Sequence, residues 1–325
     1  MTADWGKRIF EIGTKQQFSA LALEAFRYQY EQNEIYGKWC RALGKSPLNV
    51  LQTDDIPFLP IEFFKTQKVV SGNWKEETFF KSSGTTGRNS IHHIRSLDFY
   101  HRCCEKNFMN AFGNLADYCF IVILPSYAEN EHSSLLSMMD FFVAKGAKGS
   151  GFFNKQSDKP AQKLIENEAQ CVQTILFGVS YALLDLVEQH SFDLKHTYVF
   201  ETGGMKGRRA EMTKEELHST LIKGFNTSTI CSEYGMCELL SQAYSKGDGI
   251  FETPCQMQIL LRDENDPLSP SQTSKGTINV IDLANIDSCC FVATADLGEK
   301  ISDHAFKILG RLNNADIRGC NLLYL

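Results

Sequence analysis

Apolar residues along this chain fall into two rhythms. Phe18, Leu21, Ala25, Tyr28, Ile35 and Trp39 recur at steps of three and four, with Gln32 as the polar interruption. That period predicts one amphipathic helix packed on the main body. Between Asp54 and Lys65, Pro57 and Pro60 exclude a long helix upstream of Pro60, and the aromatics that follow read as a packed connecting segment. Farther on, short buried runs alternate with helical patterns. Strands are expected at Phe120–Leu124, Thr174–Phe177, Thr197–Phe200 and Thr227–Cys231. Helices are expected at Ser133–Lys145, Ser180–Glu188 and Thr213–Lys223. Such alternation implies βαβ units and a largely parallel sheet. From Phe251 the character changes to strands joined by short turns: Gln256–Leu261, Gly276–Leu283, Cys289–Ala295 and Phe306–Leu309, with Asp263–Lys275 as a long polar loop. The expected organisation is α/β: an N-terminal helical segment over 1–50, an α/β core over 51–250 and a β-rich end region over 251–325.

Composition narrows the function classes. At 325 residues the chain is long enough for an ample core, and its net charge of −6 argues against a general nucleic-acid binder. The longest apolar run, Tyr118–Leu124, is too short to span a bilayer, and the N-terminus lacks the apolar stretch of an export signal. A cytoplasmic protein is expected. Its eleven cysteines then read as free thiols, mostly small core residues, and none forms a CxxC pair. His92 and His93 are neighbours without metal-ligand spacing, so no structural metal is expected.

The most informative stretch is Ser82-Ser83-Gly84-Thr85-Thr86-Gly87, entered through the strand-like Glu77-Thr78-Phe79-Phe80. Glycines allow successive N–H groups to point into one concavity, and the hydroxyls add rotatable donors. The loop suits an oligophosphate, yet it lacks the Walker pattern: Gly84 and Gly87 are too close and Arg88 follows. Three later segments supply what a nucleotide site needs. Gly203-Gly204 follows a strand, where backbone can approach a flat base or ribose. Tyr234 offers a ring for adenine, and Glu238 a carboxylate for Mg²⁺. Asp296, in Ala295-Asp296-Leu297-Gly298, and Arg311, after Gly310, offer an acceptor and a donor for ribose or phosphate.

In this order the motifs resemble those of the adenylate-forming superfamily, from about residue 50 to the end. The stretch Ile56-Pro57-Phe58-Leu59-Pro60-Ile61-Glu62-Phe63-Phe64-Lys65, with Phe80-Lys81 abutting the glycine loop, resembles the LuxE-type acyl-protein synthetases. The PaaK-type ligases are close cousins. The resemblance implies an adenylate-forming-enzyme-like large domain. It implies that Ser82, Ser83, Gly84, Thr85, Thr86 and Gly87 cradle the phosphates of ATP, and that Gly203, Gly204 and Tyr234 line adenine. Glu238 would help to hold Mg²⁺, while Asp296 and Arg311 bind ribose. A fatty or other small carboxylic acid would be converted to acyl-adenylate. Full-length acyl-CoA synthetases continue into a small domain carrying a catalytic lysine. This chain stops at Leu325, fourteen residues after Arg311, so that domain is expected to be absent. The resemblance instead makes Cys320 the acyl acceptor, with an acyl-CoA-reductase-like or acyltransferase protein as partner. A PaaK-like ligase passing the acyl group to CoA or a carrier thiol, and a non-catalytic nucleotide-binding scaffold, are the alternative readings.

Overall fold

A computed structural model describes residues 4–82, 89–124, 132–154, 157–203 and 212–312 of the chain. The expected first helix is interrupted. After α1 (Trp5–Phe10), α2 covers Lys15–Gln32 and α3 covers Glu34–Ala42. A capping box between Thr14 and Gln17 starts α2. At Asn33 the backbone turns extended, and its side chain accepts the Tyr36 N–H at 2.9 Å to start α3. The apolar period runs straight through this break, so local capping overrides it. Gln29 fixes the helices to the far end of the molecule. Its amide donates to the carbonyls of Asn285, Ile286 and Ser288, and its oxygen accepts from the Cys290 N–H.

Next come the short β1 (Leu59–Pro60) and α4 (Phe63–Thr66), then a separate antiparallel hairpin, β2 (Thr78–Lys81) and β3 (Ile91–Ile94). The main sheet follows as expected. Its parallel part consists of β4 (Cys119–Ile123), β5 (Gly151–Phe152), β6 (Thr174–Val179), β7 (Thr197–Thr202) and β8 (Cys231–Tyr234), in spatial order β5-β4-β6-β7-β8. Connecting helices are α5 (Leu97–Phe112) before β4, then α6 (Ser134–Lys145), α7 (Lys159–Ala169), α8 (Ser180–Gln189) and α9 (Lys214–Phe225). Strand alternation sorts them to two faces. Phe120, Val122, Ile175, Phe177 and Phe200 meet α5 and α6 through Phe108, Met138, Met139 and Phe142. Ile121, Ile123, Leu176 and Val199 meet α7, α8 and α9 through Leu164, Leu183, Leu217 and Leu221. Burying a large side chain on either face stabilises the fold by roughly 1.5–3 kcal/mol.

The strand expected at Thr227–Cys231 begins only at Cys231. Asn226 closes α9 in the left-handed conformation (φ 48°, ψ 50°), and the Thr227 N–H returns to the Ile222 carbonyl at 3.2 Å. The helix exit therefore consumes residues that look strand-forming.

The rest of the sheet is antiparallel: β9 (Ala243–Ser245), β10 (Ile250–Glu252), β11 (Met257–Arg262), β12 (Lys275–Asp282), β13 (Phe291–Lys300) and β14 (Ala305–Arg311). It continues the same sheet in the order β8-β9-β10-β14-β13-β12-β11, with β1 parallel to β13. The parallel α/β part and the β-rich end are thus as the sequence implies. Most described cysteines are buried core thiols; Cys171 is exposed and Cys255 half-buried.

Candidate active site

The hairpin places the base of the glycine-rich loop. Ser82 and Ser90 close its mouth: the Ser82 N–H donates to the Ser90 carbonyl at 3.1 Å, and the Ser90 N–H to the Ser82 hydroxyl at 2.9 Å. Ser83, Gly84, Thr85, Thr86 and Gly87 lie outside the described residues, as do Gly204 and Cys320. From β3, the buried His92 donates Nδ1–H to the Cys237 carbonyl at 2.7 Å. A carbonyl only accepts, which assigns that tautomer. Burial pushes His92 down to about 4, partly offset by the same bond, so the ring is neutral near pH 7. Cys237 lies just past the carboxyl end of β8. The loop base and the Tyr234–Glu238 segment therefore share the end of the sheet where open α/β folds bind ligands.

Tyr234 ends β8 buried. Its ring meets Phe251 and Phe306 edge-on, with centroids 6.0 and 5.3 Å away. Its hydroxyl donates to Asp296 Oδ2 at 3.0 Å, and the Arg311 guanidinium stands 3.6 Å from Asp296 Oδ1. Three residues separated by long stretches of sequence thus form one polar chain. Burial raises the Asp296 carboxyl, while Arg311, Tyr234 and Arg262 pull it back. The sequence reading did not single out Arg262. It donates to the Ile278 carbonyl at 2.9 Å, to Asn279 Oδ1 at 2.6 Å and to the Thr294 carbonyl, so it braces β12 and β13 beneath Asp296. Burial lowers its guanidinium to about 10, still charged near pH 7.

Gly203 follows β7 with φ at +71°, a left-handed conformation suited to glycine, and its carbonyl accepts from the Ser180 hydroxyl at 2.9 Å. Beside it lies the buried Glu201. Oε1 accepts from Ser232 Oγ at 2.9 Å and faces Lys214 Nζ at 3.1 Å and His218 Nε2 at 3.2 Å; Ser180 Oγ reaches Oε2 at 3.3 Å. Burial alone raises this carboxyl, but His218, Lys214 and Ser232 together bring it to about 2. The cluster ties α8, α9 and β8 to the turn at Gly203. A charged residue inside the buried run Val199-Phe200-Glu201 was the available signal for it.

Glu238 is buried, and its carbonyl accepts from Asn285 Nδ2 at 2.8 Å. Among the described residues no cluster of three or more His, Cys, Asp or Glu could hold a metal alone. Mg²⁺ commonly uses one or two carboxylates together with substrate phosphates, so a single Glu238 fits that mode of binding. The buried Asp282 fixes the segment after it, accepting the N–H groups of Leu240 and Ser241, both at 2.9 Å, and the Ser241 hydroxyl at 2.7 Å. Ser82, Gly203, Tyr234, Glu238, Asp296 and Arg311 are thus all carried by elements around the carboxyl ends of β7 and β8.

The chain is similar to several known proteins. Residues 9–107 match the family model "Acyl-protein synthetase, LuxE". A long-chain-fatty-acid–luciferin-component ligase of Photorhabdus luminescens is 39% identical over 71 residues, which are 22% of this chain and 60% of that protein. The ligase of the same name from Vibrio harveyi is 34% identical over 106 residues, 32% of this chain and 28% of that one. The chain therefore spans less than two thirds of the length of either relative. Among solved structures, 2-hydroxyisobutyryl-CoA ligase in complex with 2-HIB-AMP and CoA superposes with a TM-score of 0.65 at 13% identity, covering 97% of this chain and 72% of that one. ATP-bound MatB from Rhodopseudomonas palustris gives 0.52 at 16%, covering 72% and 47%. The fold is shared with these ligases. Among the described residues, no helix is long and apolar enough to cross a membrane.

Proposed function

We propose that this relative of the LuxE acyl-protein synthetases activates a carboxylic acid of the fatty class with ATP. The observation that carries the reading is the convergence at one end of the sheet. His92 seats the base of the glycine-rich loop on Cys237, and Tyr234, Asp296 and Arg311 form one chain beside it. In this reading Ser82–Gly87 holds the oligophosphate, Gly203, Gly204 and Tyr234 border the base, and Asp296 with Arg311 holds the ribose. Glu238 would help to hold Mg²⁺, which would supply charge neutralisation at the pyrophosphate. The acid's carboxylate attacks the α-phosphorus, forming one P–O bond as the bond to pyrophosphate breaks. The Asp296 carboxylate, already aligned by Tyr234, reduces the reorganisation this step needs.

The acyl group then passes to the Cys320 thiolate, releasing AMP, and on to an acyl-CoA-reductase-like or acyltransferase partner in the cytoplasm. The relatives' names support the fatty class of acid. The test is acid-dependent ATP–pyrophosphate exchange, followed beside intact-protein mass for wild type and Cys320→Ser. Expected are exchange in both proteins and a hydroxylamine-labile, acyl-sized mass gain in wild type alone. Exchange without mass gain moves the acceptor to CoA or a carrier thiol. Absence of exchange with every acid tried removes the reading and leaves a nucleotide-binding scaffold.

A further inference from the structure

Glu233 lies between two residues already placed in the polar network, Ser232 and Tyr234, yet its side chain faces the other way. Strand alternation turns it toward α5, and the β8–β9 register sets it opposite Tyr244. Its charge reaches Tyr100 and Cys104 of α5 as well as Tyr244, raising the pKa of each. No hydrogen bond or ion pair holds its carboxyl among the described residues. The nearby donors are committed elsewhere. The Tyr100 hydroxyl donates to the Ser134 carbonyl at 2.9 Å, Tyr244 points its hydroxyl at Met138 Sδ at 3.9 Å, and Gln242 Nε2 donates to the Leu240 carbonyl at 3.1 Å.

The carboxyl is also not sealed in. The fully enclosed side-chain polar atom without a partner among the described residues is Asn285 Oδ1; Glu233 is half-buried. A half-buried carboxyl set among rings and a thiol and left unpaired has acceptor capacity free for an incoming donor. Gly235 leaves room for that carboxyl, because a Cβ there would stand 2.1 Å from Glu233 Oε1. Glu233 stands near the carboxyl end of β8, one residue from Tyr234, at the end of the sheet where open α/β folds bind ligands. Desolvation, the cause that raises Glu233 to about 7, agrees with this placement.

We propose that Glu233 is a specificity-determining residue of the acid pocket, and that the acid activated here carries a hydroxyl or ammonium donor that docks on the Glu233 carboxyl. The inference rests on the acid-activating reading above. A plain hydrocarbon chain entering this pocket strips water from the carboxyl and returns no hydrogen bond. A donor-bearing chain restores one, and sites built around a hydrogen bond reject analogues that lack it.

The test measures kcat/KM for acid-dependent pyrophosphate exchange with matched acids: dodecanoic against 12-hydroxydodecanoic and 12-aminododecanoic, butanoic against 3-hydroxybutanoic and 4-aminobutanoic, benzoic against 4-hydroxybenzoic and 4-aminobenzoic. For wild type, the best donor-bearing acid is expected to exceed its hydrocarbon counterpart at least about 10-fold. In Glu233→Leu that preference vanishes or reverses through the KM for the acid, while the KM for ATP stays within about twofold. Glu233→Gln, nearly isosteric, supplies a second variant that keeps a polar tip and weakens the preference only for ammonium acids. Wild type favouring the hydrocarbon member of every set, or a preference that survives in Glu233→Leu, overturns the inference and leaves acid activation standing. No exchange with any acid is a different result: it overturns the acid-activating reading, and this inference falls with it.

Discussion

Glu201 and Glu233 stand on adjacent strands, on opposite faces of one sheet, and the molecule treats them in opposite ways. Glu201 faces α9 amid Ser180, Ser232, Lys214 and His218, and those partners bring its carboxyl down to about 2. Glu233 faces α5 amid rings and a thiol, without a partner, and burial brings it up to about 7. Each strand would be equally regular with an apolar residue at either position. The first carboxylate is held by its surroundings and holds them in turn, joining α8, α9 and β8 to the turn at Gly203. The second is carried at a cost in stability. Natural sequences retain such costs chiefly at functional positions, which is the physical reason to read Glu233 as a binding group and Glu201 as a structural one.

The contrast breaks first at Glu201. Glu201→Ala leaves the Lys214 and His218 side chains and the Ser232 hydroxyl without their acceptor, and is expected to cost about 3 kcal/mol in denaturant unfolding near pH 7. Its folded pKa lies below the unfolded one, so this stabilisation is complete above about pH 4.5. It fades as pH falls through the folded value of about 2, and the gap between variant and wild type narrows there.

Glu233 has the reverse sign. Its folded pKa lies above the unfolded one, so the protonated form favours the fold. That contribution is complete below about pH 4.5 and is lost as pH rises through about 7. Glu233→Gln is therefore expected to match wild type at pH 4 and to exceed its stability by roughly 1–2 kcal/mol at pH 8, a figure reduced for the open carboxyl tip. Urea unfolding at the two pH values checks it; equal stability at pH 8 would mean that the carboxyl is well solvated.

The smallest effect concerns the polar chain beside this pair. Tyr234→Phe removes the donor to Asp296 while leaving the ring against Phe251 and Phe306. It is expected to cost about 1 kcal/mol of stability and to weaken ATP binding severalfold by calorimetry. Unchanged ATP affinity would remove Asp296 and Tyr234 from the nucleotide reading.

Much of this arrangement was legible in the chain. Short apolar runs between helical periods give the parallel strands, because a doubly covered strand needs apolar residues on both faces. Ser82, Gly203, Tyr234, Asp296 and Arg311 stood out as hydroxyls, a glycine and charges near strand ends, the groups that the proposed nucleotide site would need. What stayed hidden depends on partners far apart in sequence. The bond from His92 to Cys237 spans 145 positions, and Arg262 reaches Thr294 across 32. Neither leaves a local pattern. The break at Asn33 and the late start of β8 were missed for another reason: each is decided by a single cap, which hydrophobic period does not register. Glu233 fell beyond the strand expected to end at Cys231, so its place inside β8, like the lack of a partner that separates it from Glu201, is a property of the fold.

The most direct test of this account follows the two carboxyls themselves. Protein labelled with ¹³C at the glutamate δ position, with Glu201→Gln and Glu233→Gln used for assignment, reports each titration by NMR. The account predicts a Glu233 resonance titrating near pH 7 that moves when a donor-bearing acid is added, and a Glu201 resonance that stays ionised down to at least about pH 3. A Glu233 carboxyl that titrates near 4.5 and is indifferent to every acid would contradict it.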